Sequence, residues 1–338
     1  MKQPDRPICG FVTCIEAGPL ESMVVRLCAS IRKFGGAGAS TAAIYAVSPR
    51  FSAPLARTTL ESLEALNVHH VARPVAHRFG WYHFLNKPLS VLAALEAGGD
   101  EVLAWVDADT LVVREPTGLS LADDEAAGAC APCEDIIGST GPNDPRDAFW
   151  KELCAIAGVP LDSLPLIRTH ASSDRSIRLY LQAGVFGIRR SSGFAEAYLR
   201  MCERLLSSRV CLYNGPHWLE QIALGLALLE GNFKWRQWPW RANYAVGSFL
   251  PDRFERPEFA EAEILHYHDA LAPAHFPAFV GQLRKLRGGQ AEWLAEQGPA
   301  GDPQGLASKM VGLPVSVKRK IQRRLHVMRS RTLTARAS

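Results

Sequence analysis

The sequence has no apolar stretch near the roughly 20 residues that a membrane-spanning helix requires. Its longest apolar run, Ile222 to Leu229, is already interrupted by Gly225. A helical membrane span is therefore excluded. The N-terminus carries Pro4, Asp5 and Pro7 ahead of its first apolar residues and lacks the basic, apolar and small-residue order of a secretory signal. The eight cysteines are accordingly read as reduced thiols of a cytoplasmic protein. No second CxxC and no HxxxH accompany Cys130-Ala-Pro-Cys133, which excludes a four-ligand structural zinc site. Two loop thiols explain that pair better than a redox centre does. An early glycine-rich basic loop, as in a nucleotidyltransferase, is also missing: Gly35-Gly-Ala-Gly38 follows the first predicted helix, not the first strand. Internal repeats are absent.

What is present suits a globular chain with a sizeable core: 47% of the 338 residues are hydrophobic and 21% are charged. The net charge of +4 conceals a division. Residues 303–338 hold nine Lys or Arg and no acid, which leaves 29 basic and 34 acidic residues in 1–302. A mildly acidic body is not a nucleic-acid surface. The tail alone suits an anionic partner. This change near residue 300 divides the chain into a body, 1–300, and a basic tail, 301–338.

The first hundred residues alternate strand and helix. Residues 8–15, 42–47, 68–71 and 101–106 read as strands. Leu20, Val24, Leu27, Ile31 and Phe34 step by three and four, one face of a helix stopped at Gly35-Gly36. A second helix is predicted from a cap at Ser52 to about Leu66, and a third enters near Pro88 and ends at Gly98-Gly99. Beyond the midpoint, 183–189 and 264–267 read as strands, and 193–206 and 215–229 as helices. This order predicts an α/β fold with a mixed, mostly parallel sheet and helices on both faces.

The chemistry gathers at strand ends. Asp107 and Asp109 directly follow Val102-Leu-Ala-Trp-Val106. Ligands of open α/β sheets bind beyond the carboxyl ends of strands. Two carboxylates one residue apart there can share a hard divalent cation, directly or through water. By itself the pair also fits a solvated acidic turn. Lys87 lies near the start of the helix feeding this strand, where an ammonium and the helix dipole both favour phosphate. Gln182-Ala183-Gly184 opens a strand with an amide and a glycine, and glycine there implies close approach of a ligand or another segment. Ile264-Leu-His266-Tyr-His268-Asp269 puts two histidines on one face of a period-two strand, where one could complete a cation's shell.

As an ordered set, the DxD, the upstream lysine, the Gln-Ala-Gly-Val-Phe run, Trp218-Leu-Glu220-Gln221 and the late Leu-His-Tyr resemble nucleotide-sugar glycosyltransferases of the GT-A fold. The nearest pattern is the glycogenin and lipopolysaccharide-galactosyltransferase group (family 8-like), over roughly residues 7–270. The resemblance implies a GT-A, Rossmann-like three-layer sandwich with a nucleotide-binding half, 1–115, and an acceptor half, 116–300. It implies a nucleotide-sugar donor, usually a UDP-sugar, a glycan or lipid-linked acceptor, and Mn²⁺ or Mg²⁺. Asp107 and Asp109, flanking Ala108, match the metal-binding DxD. His266 matches the third metal ligand, with His268 as the alternative. Lys87 matches the basic residue ahead of the DxD strand. Gln182, Ala183 and Gly184 match an Asn-Ala-Gly run facing the donor sugar. Glu220 and Gln221 match an Asp-Gln pair, and Thr13, Cys14, Ile15 and Glu16 the loop that holds base and ribose. The chain departs from the pattern at Gln182, at Glu220 and after His268, where Asp269-Ala-Leu-Ala-Pro replaces a Gly-x-x-Lys-Pro-Trp that would carry a second phosphate clamp.

On this reading Glu220, Gln221 and Gln182 are the catalytic candidates. An inverting transferase would use a carboxylate such as Glu220 to take the acceptor's proton; a retaining one would not need it for that. Two rivals remain: a degenerate transferase fold that only binds nucleotide or glycan, and a haloacid-dehalogenase-type phosphatase, whose nucleophile motif Val106-Asp107-Ala-Asp109-Thr110 also resembles. Trp235-Arg-Gln-Trp238-Pro-Trp240 offers either acceptor-stacking faces or core packing. Arg175, Arg178, Arg189, Arg190 and Arg241 suit an acidic acceptor or solvated strand ends. In the tail, Val317, Ile321, Leu325 and Met328 step by four, four and three among basic residues. That pattern predicts peripheral contact with the inner face of a membrane, a frayed terminus being the alternative.

Overall fold

The computed structural model describes residues 6–133, 137–170, 175–211 and 215–332. The residues before Arg6, read above for a signal, and the last six of the tail lie outside these.

Strand residues point alternately to opposite faces. In β1 (Gly10–Cys14), Val12 and Cys14 join one core and Phe11 the other. β2 (Ala43–Ser48) divides Tyr45 and Val47 from Ile44 and Ala46 in the same way. β3 (His69–Ala72) is an edge strand whose two histidines are exposed. β4 (Val102–Val106) sends Leu103 and Trp105 to the first core and Val102, Ala104 and Val106 to the second. Strands apolar on both sides require cover on both faces. The helices provide it. α1 (Pro19–Phe34) and α2 (Arg57–Ala65) cover the second core. α3 (Asn86–Ala97), α4 (Asp147–Ala157), α5 (Phe194–Ser207) and α6 (Leu219–Glu230) cover the first.

β5 (Thr110–Val112) belongs elsewhere, and the main sheet is completed by β6 (Ala127–Cys130), β7 (Gln182–Arg189) and β8 (Trp235–Trp238). Its seven strands run β8-β6-β7-β4-β1-β2-β3, all parallel except β7, which opposes both neighbours. The fold is thus the expected α/β sandwich with a mixed, mostly parallel sheet. A second sheet joins β5 to β10 (Ile264–His266) and β9 (Tyr244–Ala245). α7 (Phe276–Leu286) and α8 (Gly288–Gln297) pack over it in a third core containing Tyr267, Phe279 and Trp293. Only Asp107, Ala108 and Asp109 separate β4 from β5, so the two acids sit where the sheets meet.

Several boundaries differ from expectation. The helix predicted from Ser52 starts at Arg57 because Pro54 intervenes, and because the Ala56 N–H donates to Glu21 Oε2 at 2.7 Å and not within a helix. The helix predicted from Gly215 starts at Leu219. Trp238 belongs to the core, not to an acceptor surface. It lies wholly buried between Gly128 of β6 and Gly187 of β7, where a Cβ would stand 2.4 and 2.6 Å from its ring. Cys130 is buried with its thiol on the Pro239 carbonyl (3.4 Å), and burial pushes that thiol up, away from redox reactivity.

Candidate active site

The acidic turn is fixed on two sides. The Asp107 N–H donates to the Gly184 carbonyl of β7 at 2.8 Å, and the Tyr267 N–H donates to the Asp109 carbonyl at 2.9 Å. Thr110 closes the turn through its hydroxyl, 2.7 Å from the Asp107 carbonyl. Both acids face a cavity of about 300 Å³, which Lys87, Gln182, Gln221, His266 and His268 also line.

Asp109, His266 and His268 converge there, one donor atom of each lying within 4.8 Å of the others. His266 Nε2 is 3.2 Å from Asp109 Oδ1, and His268 Nδ1 is 3.8 Å from Asp109 Oδ2. The two rings stack at 4.1 Å. They do not share one strand face as predicted, because the strand ends at His266. His268 adopts a φ of 47°, and this left-handed turn brings its ring beside its neighbour. Asn243 Oδ1 lies 3.2 Å from His266 Nδ1, which leaves Nε2 to face the acids. Burial opposes charge on His266, but Asp109 and Asp107 outweigh it and hold the imidazole above its usual range. Burial would raise Asp109, yet the two histidines hold it well below the carboxylate range. Burial, then the charge of His266, push His268 down to about 3. Nitrogen and carboxylate donors in this set fit a divalent ion such as Mn²⁺, which would take the place of the proton held on His266.

Asp107 stands one step out. Lys87 Nζ donates to its Oδ2 at 3.0 Å, the Trp105 indole donates to its Oδ1 at 2.8 Å, and His266 Nε2 is 3.9 Å away. Burial raises its pKa most, ahead of the opposing lysine. Lys87 also donates to the Ala183 carbonyl at 2.8 Å. Burial disfavours its charge, but Asp107 and Glu220 outweigh that and keep the ammonium charged.

Glu220 is wholly buried behind Lys87, at 3.7 Å, and does not line the cavity. Tyr198 donates its hydroxyl to one carboxylate oxygen, and burial pushes Glu220 up to about 7. Its other carboxylate oxygen faces Lys87, so what the structure shows of Glu220 is contact with that lysine, and a role as proton acceptor draws no support from this geometry. Gln221 accepts from the Tyr180 hydroxyl at 3.0 Å. Gln182 Oε1 is buried with no hydrogen-bond partner among the described residues.

The loop expected to hold base and ribose lies outside this cavity. Thr13 and Ile15 are fully buried, and Cys14 Sγ accepts from the Asn86 amide at 3.2 Å. Arg50 grips both Glu16 oxygens, at 2.7 and 2.6 Å. Glu16 opens instead on a neighbouring cavity of about 370 Å³ with Ser52 and Arg319. Ala108 is buried. Gly184 admits another segment: a Cβ there would stand 2.4 Å from the His266 ring. Arg178, Arg189, Arg190 and Arg241 engage Asp147, the Glu125 carbonyl, the Asp100 carbonyl and Glu263, and none of them lines this cavity. Trp105 and Asn243 were missed. Trp105 could have been found, since it lies two residues before Asp107 on the same side of the chain. No spacing announces Asn243.

The fold is similar to that of solved transferases at low identity. The galactosyltransferase LgtC, solved with donor and acceptor sugar analogs, is 14% identical with a TM-score of 0.45, over 85% of this chain and 94% of that one. The glycosyltransferase GlyE of Streptococcus pneumoniae TIGR4 is 11% identical with a TM-score of 0.49, over 88% and 66%. Mouse xyloside xylosyltransferase 1 is 11% identical with a TM-score of 0.43, over 76% and 96%. No curated protein matches the sequence. Residues 11–231 match the Rhodobacterales glycosyltransferase domain, a span that includes Lys87, Asp107, Asp109 and Gln182. The chain therefore belongs to that family of glycosyltransferases, and the phosphatase reading falls.

Proposed function

We propose that this glycosyltransferase is of the GT-A type, takes a nucleotide-sugar donor, a UDP-sugar by the resemblance in its sequence, and works with a divalent cation, Mn²⁺ or Mg²⁺. The observation that carries the reading is the convergence of Asp109, His266 and His268 beside Lys87 in one cavity at the carboxyl end of β4. Those three residues would hold the ion, with Asp107 assisting directly or through water. When bound, the ion supplies a Lewis acid for the departing nucleoside diphosphate. Lys87 adds a positive charge fixed by Asp107 and the Ala183 carbonyl, so it stabilises developing negative charge without reorganising. The Gln182 amide oxygen, without a partner among the described residues, accepts a hydrogen bond from a sugar hydroxyl, and Gln221 lines the same space. The acceptor is a glycan or a lipid-linked glycan, not a nucleic acid. Residues 1–115 serve the nucleotide and 116–300 the acceptor. The enzyme works in the cytoplasm, peripheral to the inner membrane face through the 303–338 tail.

Calorimetric titration of UDP, with Mn²⁺ and with chelator, tests this on the parent chain and on Asp109→Asn. Binding should require the ion and weaken by about tenfold or more in the variant. Equal binding in chelator would sink the reading. Release of UDP from UDP-sugars on addition of glycan then separates a transferase from a mere binding module.

A further inference from the structure

The tail forms α9 (Leu306–Met328), and its two faces are arranged unusually. Val315, Arg319, Gln322 and His326 recur at three and four residues and form the half-buried side. The His326 ring packs on Trp81 at 4.6 Å and on Phe79 at 6.2 Å, and Arg319 donates to the Phe51 carbonyl at 2.6 Å. Both ends are tied down. Gln304 just ahead of the helix bonds to Glu21 and to the Pro54 carbonyl, Arg331 pairs with Glu152, and Arg331–Thr332 runs parallel to Val210–Cys211. The opposite face carries Met310, Val317, Ile321 and Met328, each between 45% and 80% exposed. A helix whose only partner is its own body turns its apolar stripe inward. This one turns a largely polar face inward and the apolar stripe outward. Lys318 and Arg329 border the stripe on one side, and Lys320 and Arg324 on the other.

We propose that this outward stripe is a docking surface for an anionic lipid bilayer, with α9 lying in the interfacial plane and its polar face remaining on the body. The proposal rests on the peripheral placement in the proposed function and adds the face, the orientation and the lipid charge. A second copy fits less well. A twofold contact would bring the stripe's own basic borders together. Residues 303–338 contain no acid to compensate them. An anionic headgroup layer neutralises all four border residues while the stripe enters the acyl boundary. Through Val315 and Arg319 the inward side of the same helix also borders the Glu16–Ser52 cavity.

Co-sedimentation of the full chain with phosphatidylcholine vesicles, with and without phosphatidylglycerol, tests this. Two variants accompany it: Val317→Asp/Ile321→Asp on the stripe, and Lys320→Glu/Arg324→Glu on its border. Thermal melts confirm folding, and sedimentation equilibrium gives the oligomeric state. The parent chain should bind only the anionic vesicles, and each variant should lose about tenfold or more in affinity. Three results would overturn the proposal: no binding by the parent, undiminished binding by the stripe variant, or a parent dimer that the stripe variant dissociates without vesicle binding. UDP titration in free solution is read separately. Failure on vesicles leaves the donor reading intact, and failure of the titration leaves the docking surface intact.

Discussion

Lys87 and Glu220 form a buried pair whose members answer to different tests. Lys87 aims a fixed charge into the cavity, so Lys87→Met should cut turnover by about a hundredfold or more, measured as UDP release under saturating donor. Glu220 is a stability matter. Its carboxyl, pushed to about 7 by burial, keeps a proton in the folded chain that the unfolded chain loses near 4.5. Between those values the folded state binds more protons, so this group's contribution to stability is full below 4.5 and is lost as pH rises through 7. Glu220→Gln cannot ionise and should gain on the parent by about 3 kcal/mol between pH 4.5 and 8, read from urea melts. An unchanged difference across that range would contradict the assignment. The acids of the DxD were legible because they end an apolar strand. The fate of Glu220 was not, because a glutamate in the first turn of a helix reads the same whether it faces solvent, a ligand or a buried lysine.

Elements place these residues by close contact, and two glycines on β7 separate the roles of site and scaffold. A methyl at Gly184 meets the His266 ring, whereas one at Gly187 meets the buried Trp238. Gly184→Ala should weaken Mn²⁺-dependent UDP binding by about tenfold with a modest change in melting. Gly187→Ala should cost about 1–3 kcal/mol of stability and leave the affinity of the remaining folded protein unchanged. The opposite pattern in calorimetry and melts would refute the assignment. The strands of the main sheet were readable from their apolar runs, since burial on both faces leaves no other composition. The start of α2 was not readable, because a contact from Glu21 of a different helix determines where the Ala56 N–H goes. The slot for Trp238 escaped for a similar reason: glycines on two strands make it, and neither lies near the tryptophan in sequence.

On the scale of the whole molecule, the tail is part of the body's surface as well as an exposed helix. Gln304 bonds to Glu21 and the Pro54 carbonyl, and His326 covers Trp81. Removing residues 303–338 should therefore lower the melting temperature and shift Trp81 fluorescence to the red, whereas Ile321→Asp should do neither. A truncated chain that melts with the parent would show that these contacts contribute nothing. The amphipathic period of the tail was visible in the sequence. Which face the body takes was not, because half-buried His326 and Arg319 serve the body as well as any apolar residue through their rings, stems and carbonyl contacts.

The small sheet that brings β10 to β5 has a bearing on how the enzyme comes into being. Asp109 and Lys87 leave the ribosome early, whereas His266 and His268 leave it late, after the whole main sheet has been synthesised. Domains fold as their residues emerge. A nascent chain can therefore assemble its parallel strands and display both acids long before it owns a grip on a cation. The proposed metal centre is then a late joint in the molecule's biogenesis, and a chain interrupted before β10 would lack two of the three residues that would hold the ion.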